Sequence, residues 1–518
     1  MSSPQNNINK TPLAVSIATG LAVAAVAAGA LIIILRSAAL ETIPIDGCYY
    51  LPKAESLAET GKLRVPWGTG IDTKFFPGLS ILFAPFIKFF GLRFGWIPVE
   101  VFCYIGAAWL VALTARRIGA GAIGASAAAI AFATDPLIIK WASVPYAEIP
   151  AAFFTLASIE FTFRARSLPN RFPAELLASL ALGVAGMMRV EAFIALPVLL
   201  AIAFSGRAAG RGVLSAISIF AIAMLPIAAH VSVMAGLDVA PSRLHYVEEF
   251  IRNFSWDKYQ TNLFTFLQEL AHVVPSSKMS LIADFPGWLS IAYAAARIAV
   301  AILGAAGIVI LLMGRARVAA AIAFSLLLLF TFGHALWHYG DARFLVIMWI
   351  VPCAAAGATV EVLFEKMKIA GGALAAAVFI ILLIAGNGVA RAHAGEWERT
   401  TRGSARELAA RIDTLVSPAA EGLYQFDEMY KPRAAAGPFV AMWRKAPARF
   451  CYRLDNFFEA DTEPSAAPSL LKSGNRFVIT NLRFGDWLNR YIENPAERAA
   501  YRAVIEEPGR TVIVYNER

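Results

Sequence analysis

Charged side chains are scarce in this chain of 518 residues, because Asp, Glu, Lys and Arg together make up only 16% of it. Soluble proteins carry about a quarter charged residues and about half apolar ones, whereas 58% of this sequence is hydrophobic. A soluble domain could not bury this much apolar surface, which excludes an ordinary cytosolic enzyme. Cysteine is also rare, and four residues in 518 exclude a disulfide scaffold. Aromatic residues make up 12%, which excludes a disordered chain.

The formal net charge of +9 does not come from a basic patch or tail of the kind that indicates a nucleic-acid partner. The basic residues instead lie in small groups between long apolar runs. That pattern is typical of a protein that crosses a membrane several times. We therefore expect contact with membrane lipids and none with nucleic acid.

The first apolar run extends over residues 12–35, which are 24 positions without a charge. It is too long for the apolar core of a signal peptide, about 7–15 residues, and long enough to cross a bilayer, which takes about 20. Ten further runs follow at 94–115, 118–134, 146–163, 175–188, 192–206, 213–236, 286–314, 318–335, 343–363 and 369–390. The sequence thus predicts an all-α polytopic membrane domain over residues 1–390, with about 11–13 transmembrane or re-entrant helices.

Basic residues between these runs predict the orientation of the chain. They are Arg116 and Arg117; Arg164, Arg166 and Arg171; Arg207 and Arg211; Arg315 and Arg317; and Lys366 and Lys368. Because short loops rich in Lys and Arg stay in the cytoplasm, the extracytoplasmic side receives a first loop at 36–75, a second large loop at 237–285 and the chain after residue 390. The expected location is the inner membrane of the cell.

One segment does not fit a simple alternation of crossings. Residues 75–87 hold only 13 apolar positions before Lys88, too few for a full span. We expect the segment to lie in the interface or to re-enter the membrane. A full crossing would invert the orientation of everything that follows.

Residues 391–518 differ in composition from the rest, with dense charge and alternating helix and strand patterns. An amphipathic helix is predicted over 403–416, and strands over 422–426, 477–480 and 511–515. The sequence therefore predicts a small soluble α/β domain on the extracytoplasmic side.

Asp46 follows the first apolar run at the predicted membrane surface. A short helix is predicted over 49–60, with Gly61 as its end. Asp46 would then serve either as a cap of that helix or as a general base, since a carboxylate can take a proton from an acceptor hydroxyl.

The order of motifs around Asp46 has a known counterpart. Tyr50 and Ala54 form Tyr-x-x-x-Ala, Gly61 follows, and residues 76–78 read Phe-Pro-Gly at the entry to an apolar segment. This order resembles the GT-C glycosyltransferases, and more narrowly their protein-mannosyltransferase and aminoarabinose-transferase branch. Three later segments are similar to that branch, namely 134–158 with Tyr-x-Glu-x-Pro, 182–200 with Arg-x-Glu, and 338–357 with Arg-Phe-Leu in place of Arg-Tyr-Leu.

The sequence differs from that branch at two places. Gly47 stands where a second acid often follows the catalytic Asp. The segment with Asp72, Lys74 and Pro77 replaces a Glu-Lys-Pro motif. The sugar and the acceptor are therefore not predicted beyond a hexose or pentose and a lipid, glycan or protein.

The resemblance implies transfer of a sugar from a polyprenyl-phosphate carrier. The sequence agrees, because it has neither the Asp-x-Asp that holds a metal on a nucleotide sugar nor a phosphate-binding Gly-rich loop. The predicted base is Asp46, and the predicted phosphate ligands are Lys74, Arg189 and Arg343. Supporting roles are predicted for Asp72, Tyr146, Glu148, Glu191, His338 and Asp341.

Several of these residues have a simpler interpretation. Arg189 and Glu191 would form a structural pair between short helices, Glu148 and Asp341 would begin helices, and Arg343 would extend its charged head towards the membrane surface. The spacing of His334, His338 and Asp341 also suits a divalent metal, although the resembled branch works without one. No cofactor is predicted.

Two larger alternatives stay open at the sequence level. The aromatic 237–285 loop is either an interfacial helix pair or a lid over the site. The whole protein would alternatively be a transporter or flippase of envelope precursors, which typically has internal repeats; no repeat is evident. Arg297 lies within an apolar run, so a partner or a shallow depth is expected for it.

Overall fold

The computed structural model describes most of the chain. The described residues are 12–39, 45–65, 75–204, 209–236, 254–271, 287–313, 317–336, 342–367, 405–426, 440, 444–445, 448–452, 464–480, 482–507 and 510–515. The chain forms two compact units. The first combines Met1–Ala38, Thr73–Leu82 and Trp96–His393, and the second combines Ala39–Asp72, Phe83–Gly95 and Ala394–Arg518.

Helices make up the first unit throughout its described part. They are α1 (Pro12–Ala39), α4 (Ile97–Arg117), α5 (Ala122–Ala133), α6 (Pro136–Ala142), α7 (Glu148–Ser167), α8 (Phe172–Met188), α9 (Leu196–Phe204), α10 (Ala209–Gly236), α11 (Trp256–Ala271), α12 (Gly287–Met313), α13 (Arg317–Ala335) and α14 (Leu345–Met367). Helix α2 (Ile45–Thr60) belongs to the second unit, and α3 (Gly78–Phe94) begins in the first unit and continues in the second. Short 3₁₀ turns precede α9 at Val190–Ala195 and α14 at Ala342–Phe344.

Five described helices are long and apolar enough to cross a membrane, or six if the bent pair α5–α6 forms one span. The five spans are Val15–Ala38, Ile97–Arg117, Val213–Ser232, Ala295–Met313 and Leu345–Lys366. Shorter apolar helices occupy most of the other predicted runs. The run 369–390 lies outside the described residues. The described part therefore confirms a polytopic helical domain but contains fewer full-length spans than the predicted 11–13 helices. One reason is that α7 has the length of a span but carries Glu148, Glu160, Arg164 and Arg166.

Small residues allow the helices of the first unit to approach closely. Helix α14 packs against α5, where Gly124 and Gly357 meet so closely that a Cβ on either one would lie 2.3 Å from the carbonyl oxygen of the other. Close contact between small residues is the usual way in which membrane helices associate. Helix α14 is accordingly buried along most of its length.

Two of the predicted basic loops meet at one end of this bundle. Arg117 at the end of α4 donates to both carboxylate oxygens of Glu160, at 2.8 and 3.1 Å, and Arg164 donates to Glu160 at 2.8 Å. At the start of α5, the backbone N–H of Gly124 donates to Glu361 of α14 at 2.7 Å. The ends of α4, α7 and α14 therefore lie together, as the predicted orientation requires of their basic loops.

Arg297 has a charged partner, which is one of the two alternatives that its position in an apolar run predicted. Its Nη1 lies 3.3 Å from Asp135 Oδ1, and its guanidinium group lies 4.0 Å above the ring of Trp349. Both charged side chains are almost completely buried, at 1% and 0% exposure. Asp135 also caps α6, because its Oδ1 accepts from Leu137 N at 2.8 Å. The pair thus lies at the 58° bend between α5 and α6.

Helix α2 belongs to the second unit and carries Asp46 in its first turn. The helix begins four residues earlier than predicted, and Gly61 ends it in the left-handed conformation (φ +72°), as predicted. Helix α3 is not among the candidate spans. The chain turns at Gly91 (φ +71°), and Gly95 then packs against the backbone of Ile87.

The C-terminal part of the second unit is an α/β domain, as predicted. Its elements are α15 (Ala405–Leu415), β1 (Glu421–Phe426), β2 (Ala448–Tyr452), α16 (Ala467–Lys472), β3 (Arg476–Thr480), α17 (Phe484–Tyr491), α18 (Pro495–Arg498), β4 (Tyr501–Glu507) and β5 (Arg510–Tyr515). The sheet order is β2-β1-β3-β5-β4, in which β1 runs parallel to β2 and β3 while β5 runs antiparallel to β3 and β4. The fully buried Trp487 anchors its core and donates to Gln425 Oε1 at 2.6 Å.

An ion pair joins this domain to α2 within the second unit. Lys445 Nζ lies 2.7 Å from Glu55 and 3.5 Å from Glu59, one helical turn apart on α2. The carboxylates raise the pKa of Lys445 although partial burial opposes this. The preceding Arg444 is held by Asp413 and by the carbonyls of residues 417, 418 and 420. The helix of Asp46 is thereby attached to the C-terminal α/β domain.

Candidate active site

Three helix ends in the first unit bring two cations and two carboxylates together. Glu148 is the first residue of α7. Arg189 ends α8 in an extended conformation (φ −145°, ψ 115°), and the 3₁₀ turn that follows carries Glu191. Arg343 lies in the 3₁₀ turn before α14. Each of these side chains therefore lies where a helix begins or ends, and the three helix ends lie close together.

A single carboxylate oxygen lies between the two guanidinium groups. Arg189 Nη1 donates to Glu148 Oε1, and Arg343 Nε lies 3.7 Å from that same oxygen. Arg189 Nη2 also donates to Glu191 Oε1 at 2.9 Å. Glu148 and Arg343 are buried, so these interactions are weakly screened by solvent.

Aromatic rings form cation–π contacts with the two guanidinium groups. Phe344 lies 5.2 Å from the guanidinium of Arg189 and 5.5 Å from that of Arg343. The Arg343 guanidinium also lies 5.6 Å from the ring of Tyr146, which in turn stacks on Trp141 with ring centroids 5.3 Å apart. Cation–π contacts of this kind favour a fixed orientation of the guanidinium plane.

These side chains line a partly open pocket of ≈ 320 Å³. Its wall consists of Glu148, Ala151, Ala152, Arg189, Glu191, Ala192, Phe330, His334, Arg343, Phe344, Val346 and Ile347. Guanidinium groups are good donors to a small anion such as a phosphate group, which would compete here with the two carboxylates that Arg189 and Arg343 contact.

Asp46 lies in the second unit and is buried at 5% exposure. In the same turn, burial and the Asp46 carboxylate raise the pKa of the Cys48 thiol well above its ordinary value. Cys48 is therefore a thiol rather than a thiolate nucleophile.

No protein-family model matches this sequence, and no curated protein matches it. Solved structures do match its fold. ArnT from Cupriavidus metallidurans bound to undecaprenyl phosphate superposes with a TM-score of 0.68 at 13% identity, over 96% of this chain and 98% of ArnT. Archaeal oligosaccharyltransferase AglB from Archaeoglobus fulgidus, in complex with an inhibitory peptide and a dolichol-phosphate, superposes with a TM-score of 0.55 at 14% identity. The match covers 89% of this chain and 69% of AglB.

The chain has the GT-C fold. ArnT, an aminoarabinose transferase, and AglB are both membrane glycosyltransferases of the GT-C superfamily. The apo structure of ArnT superposes nearly as well, with a TM-score of 0.64 at 12% identity over 96% of this chain and 98% of ArnT. The fold that the motif order predicted is thereby confirmed, and the chain is a multi-pass membrane protein.

Within this GT-C chain, half of the predicted site residues occur together. Tyr146, Glu148, Arg189, Glu191 and Arg343 form the one cluster described above. Asp46 is described by itself in the second unit. Lys74, Asp72, His338 and Asp341 lie outside the described residues.

The simpler interpretations also hold for part of this cluster. Glu148 does begin a helix, and Arg189 does pair with Glu191. Both features coexist with the convergence of Arg189 and Arg343, which neither interpretation predicts.

Sequence reasoning gave neither Phe344 nor His334 a role at the phosphate site, although both line the pocket. Phe344 was noted only as a replacement for tyrosine, and its position directly after Arg343 is the signal that it would lie beside that side chain. His334 was considered only as a metal ligand. Among the described residues no three His, Cys, Asp or Glu side chains are grouped as a metal site, and the other two residues of that predicted set lie outside them.

Proposed function

We propose that this protein is an integral-membrane glycosyltransferase that moves a sugar from a polyprenyl-phosphate carrier to an extracytoplasmic acceptor. The observation that carries the proposal is the convergence of Arg189 and Arg343 on one oxygen in a buried pocket. The GT-C fold supports it, because the ArnT and AglB structures contain undecaprenyl phosphate and dolichol-phosphate. The acceptor is a lipid, a glycan or a protein, and the sugar is a hexose or a pentose.

Arg189 and Arg343 bind the carrier phosphate in this proposal, together with Lys74. Guanidinium groups suit the role because their planar donors match carboxylate and phosphate oxygens alike. Glu148 Oε1 marks the point at which a phosphate oxygen would be held between them. The phosphate is the leaving group, so stabilising the charge that develops on it lowers the barrier of the transfer step.

Asp46 acts as the general base. It takes the proton of the acceptor hydroxyl or amine as that group attacks the anomeric carbon. The bond between the anomeric carbon and the phosphate oxygen breaks at the same time, and polyprenyl phosphate departs. Attack from the side opposite the phosphate inverts the anomeric centre.

The remaining predicted residues support this chemistry. Tyr146 and Glu191 orient the two arginines through the contacts described above. Glu148 accepts a hydrogen bond from Arg189 and forms a longer ion pair, at 3.7 Å, with Arg343. Asp72, His338 and Asp341 keep the supporting role that the sequence predicts for them, and all three lie outside the described residues. No step of the proposed reaction passes through a metal.

Replacement of Arg343 by Lys is expected to weaken binding of polyprenyl phosphate at least about tenfold. Lysine keeps the charge but loses the planar fork, and a hydrogen bond to a charged group contributes about 1.5–3 kcal/mol. Binding is measured by titrating the detergent-solubilised protein with a short-chain polyprenyl phosphate.

Arg164→Lys is the matched control, since it makes the same change in the exposed pair with Glu160. It should leave the affinity unchanged. Equal affinity of the Arg343→Lys variant and the wild type would remove Arg343 from the phosphate site.

A reporter fused after Arg391 is expected to be active only in the extracytoplasmic compartment. The prediction follows from the basic loops, two of which the structure brings to one end of the bundle. Two fusions are compared at this position. Alkaline phosphatase is active only outside the cytoplasm, and green fluorescent protein fluoresces when it remains in the cytoplasm. Fluorescence without phosphatase activity would place the soluble domain in the cytoplasm and contradict the proposed location.

A further inference from the structure

His334 forms part of the pocket wall, close to the two arginines. It lies in the last turn of α13, buried at 5% exposure. Its ring lies between Phe330, with centroids 5.9 Å apart, and Phe344, with centroids 5.0 Å apart. Phe344 is the ring that also holds Arg189 and Arg343. The imidazole and the two guanidinium groups therefore surround one aromatic side chain.

The hydrogen bond at Nδ1 fixes the tautomer of the imidazole. Nδ1 lies 2.8 Å from the carbonyl oxygen of Phe330. A carbonyl only accepts, so the proton lies on Nδ1, and Nε2 of the neutral ring is an acceptor. No described residue forms a hydrogen bond with Nε2, although the residue lines the pocket. The wall of the pocket thus includes an acceptor nitrogen that no residue in the described part of the chain uses.

A sugar phosphate has the chemistry that fits this arrangement. Its phosphate oxygens accept from guanidinium groups, and its ring hydroxyls donate to a neutral nitrogen. The cationic and the accepting sides of the pocket are separated by one phenyl ring.

We propose that His334 Nε2 accepts a hydrogen bond from a ring hydroxyl of the donor sugar, and that it thereby distinguishes the sugar-loaded carrier from the sugar-free carrier. The inference rests on the proposed function, because it places the carrier phosphate at Arg189 and Arg343. It adds a specificity-determining residue, since sugars that lack a hydroxyl at that position would leave Nε2 without a donor. A buried polar group without its partner weakens binding more than an apolar contact strengthens it.

Two matched substitutions separate the two nitrogens of the ring. Asparagine places an amide nitrogen near the position of Nδ1, so His334→Asn keeps the bond to Phe330 but has no atom at Nε2. Glutamine reaches the position of Nε2, so His334→Gln restores a group that accepts there. Both changes remove the imidazole, and a defect caused only by lost packing would be similar in the two variants.

The probes are sugar-free undecaprenyl phosphate and a panel of undecaprenyl-phosphate sugars that includes glucose, mannose and arabinose. Each is titrated against the detergent-solubilised full chain. For the sugar that the wild type binds best, His334→Asn is expected to weaken binding about tenfold, the usual effect of one lost hydrogen bond with its buried partner. Its affinity for sugar-free carrier should stay within about twofold of the wild type, and His334→Gln should recover most of the lost affinity.

Three results would overturn the inference. Equal loss of affinity for loaded and sugar-free carrier would place Nε2 at the phosphate. An equal loss of affinity for the loaded carrier in the Asn and Gln variants would show that His334 contributes only packing. Wild-type protein that binds every loaded carrier no better than the sugar-free one would leave no sugar contact to explain. Failure of the proposed function is distinguishable, because wild-type protein would then bind none of the probes.

Discussion

The Asp46→Asn variant is expected to retain folding, membrane insertion and carrier binding while sugar transfer falls by about 10²–10⁴-fold. That factor is the usual contribution of general-base catalysis. Asparagine has the shape of aspartate and can form hydrogen bonds, but it cannot accept a proton at neutral pH. Formation of glycolipid or glycoprotein product is measured in membranes that contain equal amounts of each variant.

The competing role for Asp46 predicts the opposite result. Asp46 lies in the first turn of α2, where a carboxylate interacts favourably with the helix dipole by about 0.3–1 kcal/mol. Loss of that term would change stability slightly and transfer hardly at all. Glu55→Gln is the control on the same helix, because it removes a carboxylate that contacts Lys445. Near-normal product from Asp46→Asn would refute the base assignment and direct the search to Glu148 or Glu191.

Replacement of Arg297 by Met is expected to lower the free energy of unfolding by about 3–5 kcal/mol, the range found when one partner of a buried ion pair is removed. Met preserves much of the side-chain volume but leaves the carboxylate of Asp135 buried without its cation, at 0% exposure. Unfolding is followed by titration with SDS in mixed micelles.

The double variant Asp135→Asn with Arg297→Met separates the effect of the uncompensated Asp135 charge from the effect of lost packing. Asn caps a helix about as well as Asp does, so the N-terminus of α6 keeps its cap at Leu137. The double variant should therefore recover most of the lost stability. Equal instability of the single and double variants would show that packing on Trp349, and not charge compensation, sets the effect.

The sequence predicted the local features of the site better than its assembly. Arg189, Glu148 and Arg343 were identified because charges are conspicuous at the ends of apolar runs. Their convergence on one oxygen depends on the stop of α8 and on the start of α14, and these turns depend on tertiary packing. The same holds for Asp135, whose partner lies 162 residues away. No local pattern indicates which buried carboxylate compensates Arg297.

Strand prediction succeeded where the hydrophobic run was short and continuous. The three predicted strands match β1, β3 and β5. The missed strand β4 contains three charged side chains and an irregular register between Ala503 and Ile505, which interrupt the alternation of apolar and polar residues. The missed strand β2 lies at the edge of the sheet, and Arg449 near its start interrupts the apolar run that would have indicated it.

The ion pair at the bend between α5 and α6 also sets an order of events during synthesis. Its acidic partner leaves the ribosome 162 residues before its basic partner. At about 5–20 residues per second, roughly 8–30 s pass between the two. Throughout that interval the α5–α6 bend lacks the cation that will compensate Asp135, so this part of the bundle completes its packing only after α12 has been made. Nascent chains that stop before Arg297 contain every residue of the bend and yet cannot form its ion pair.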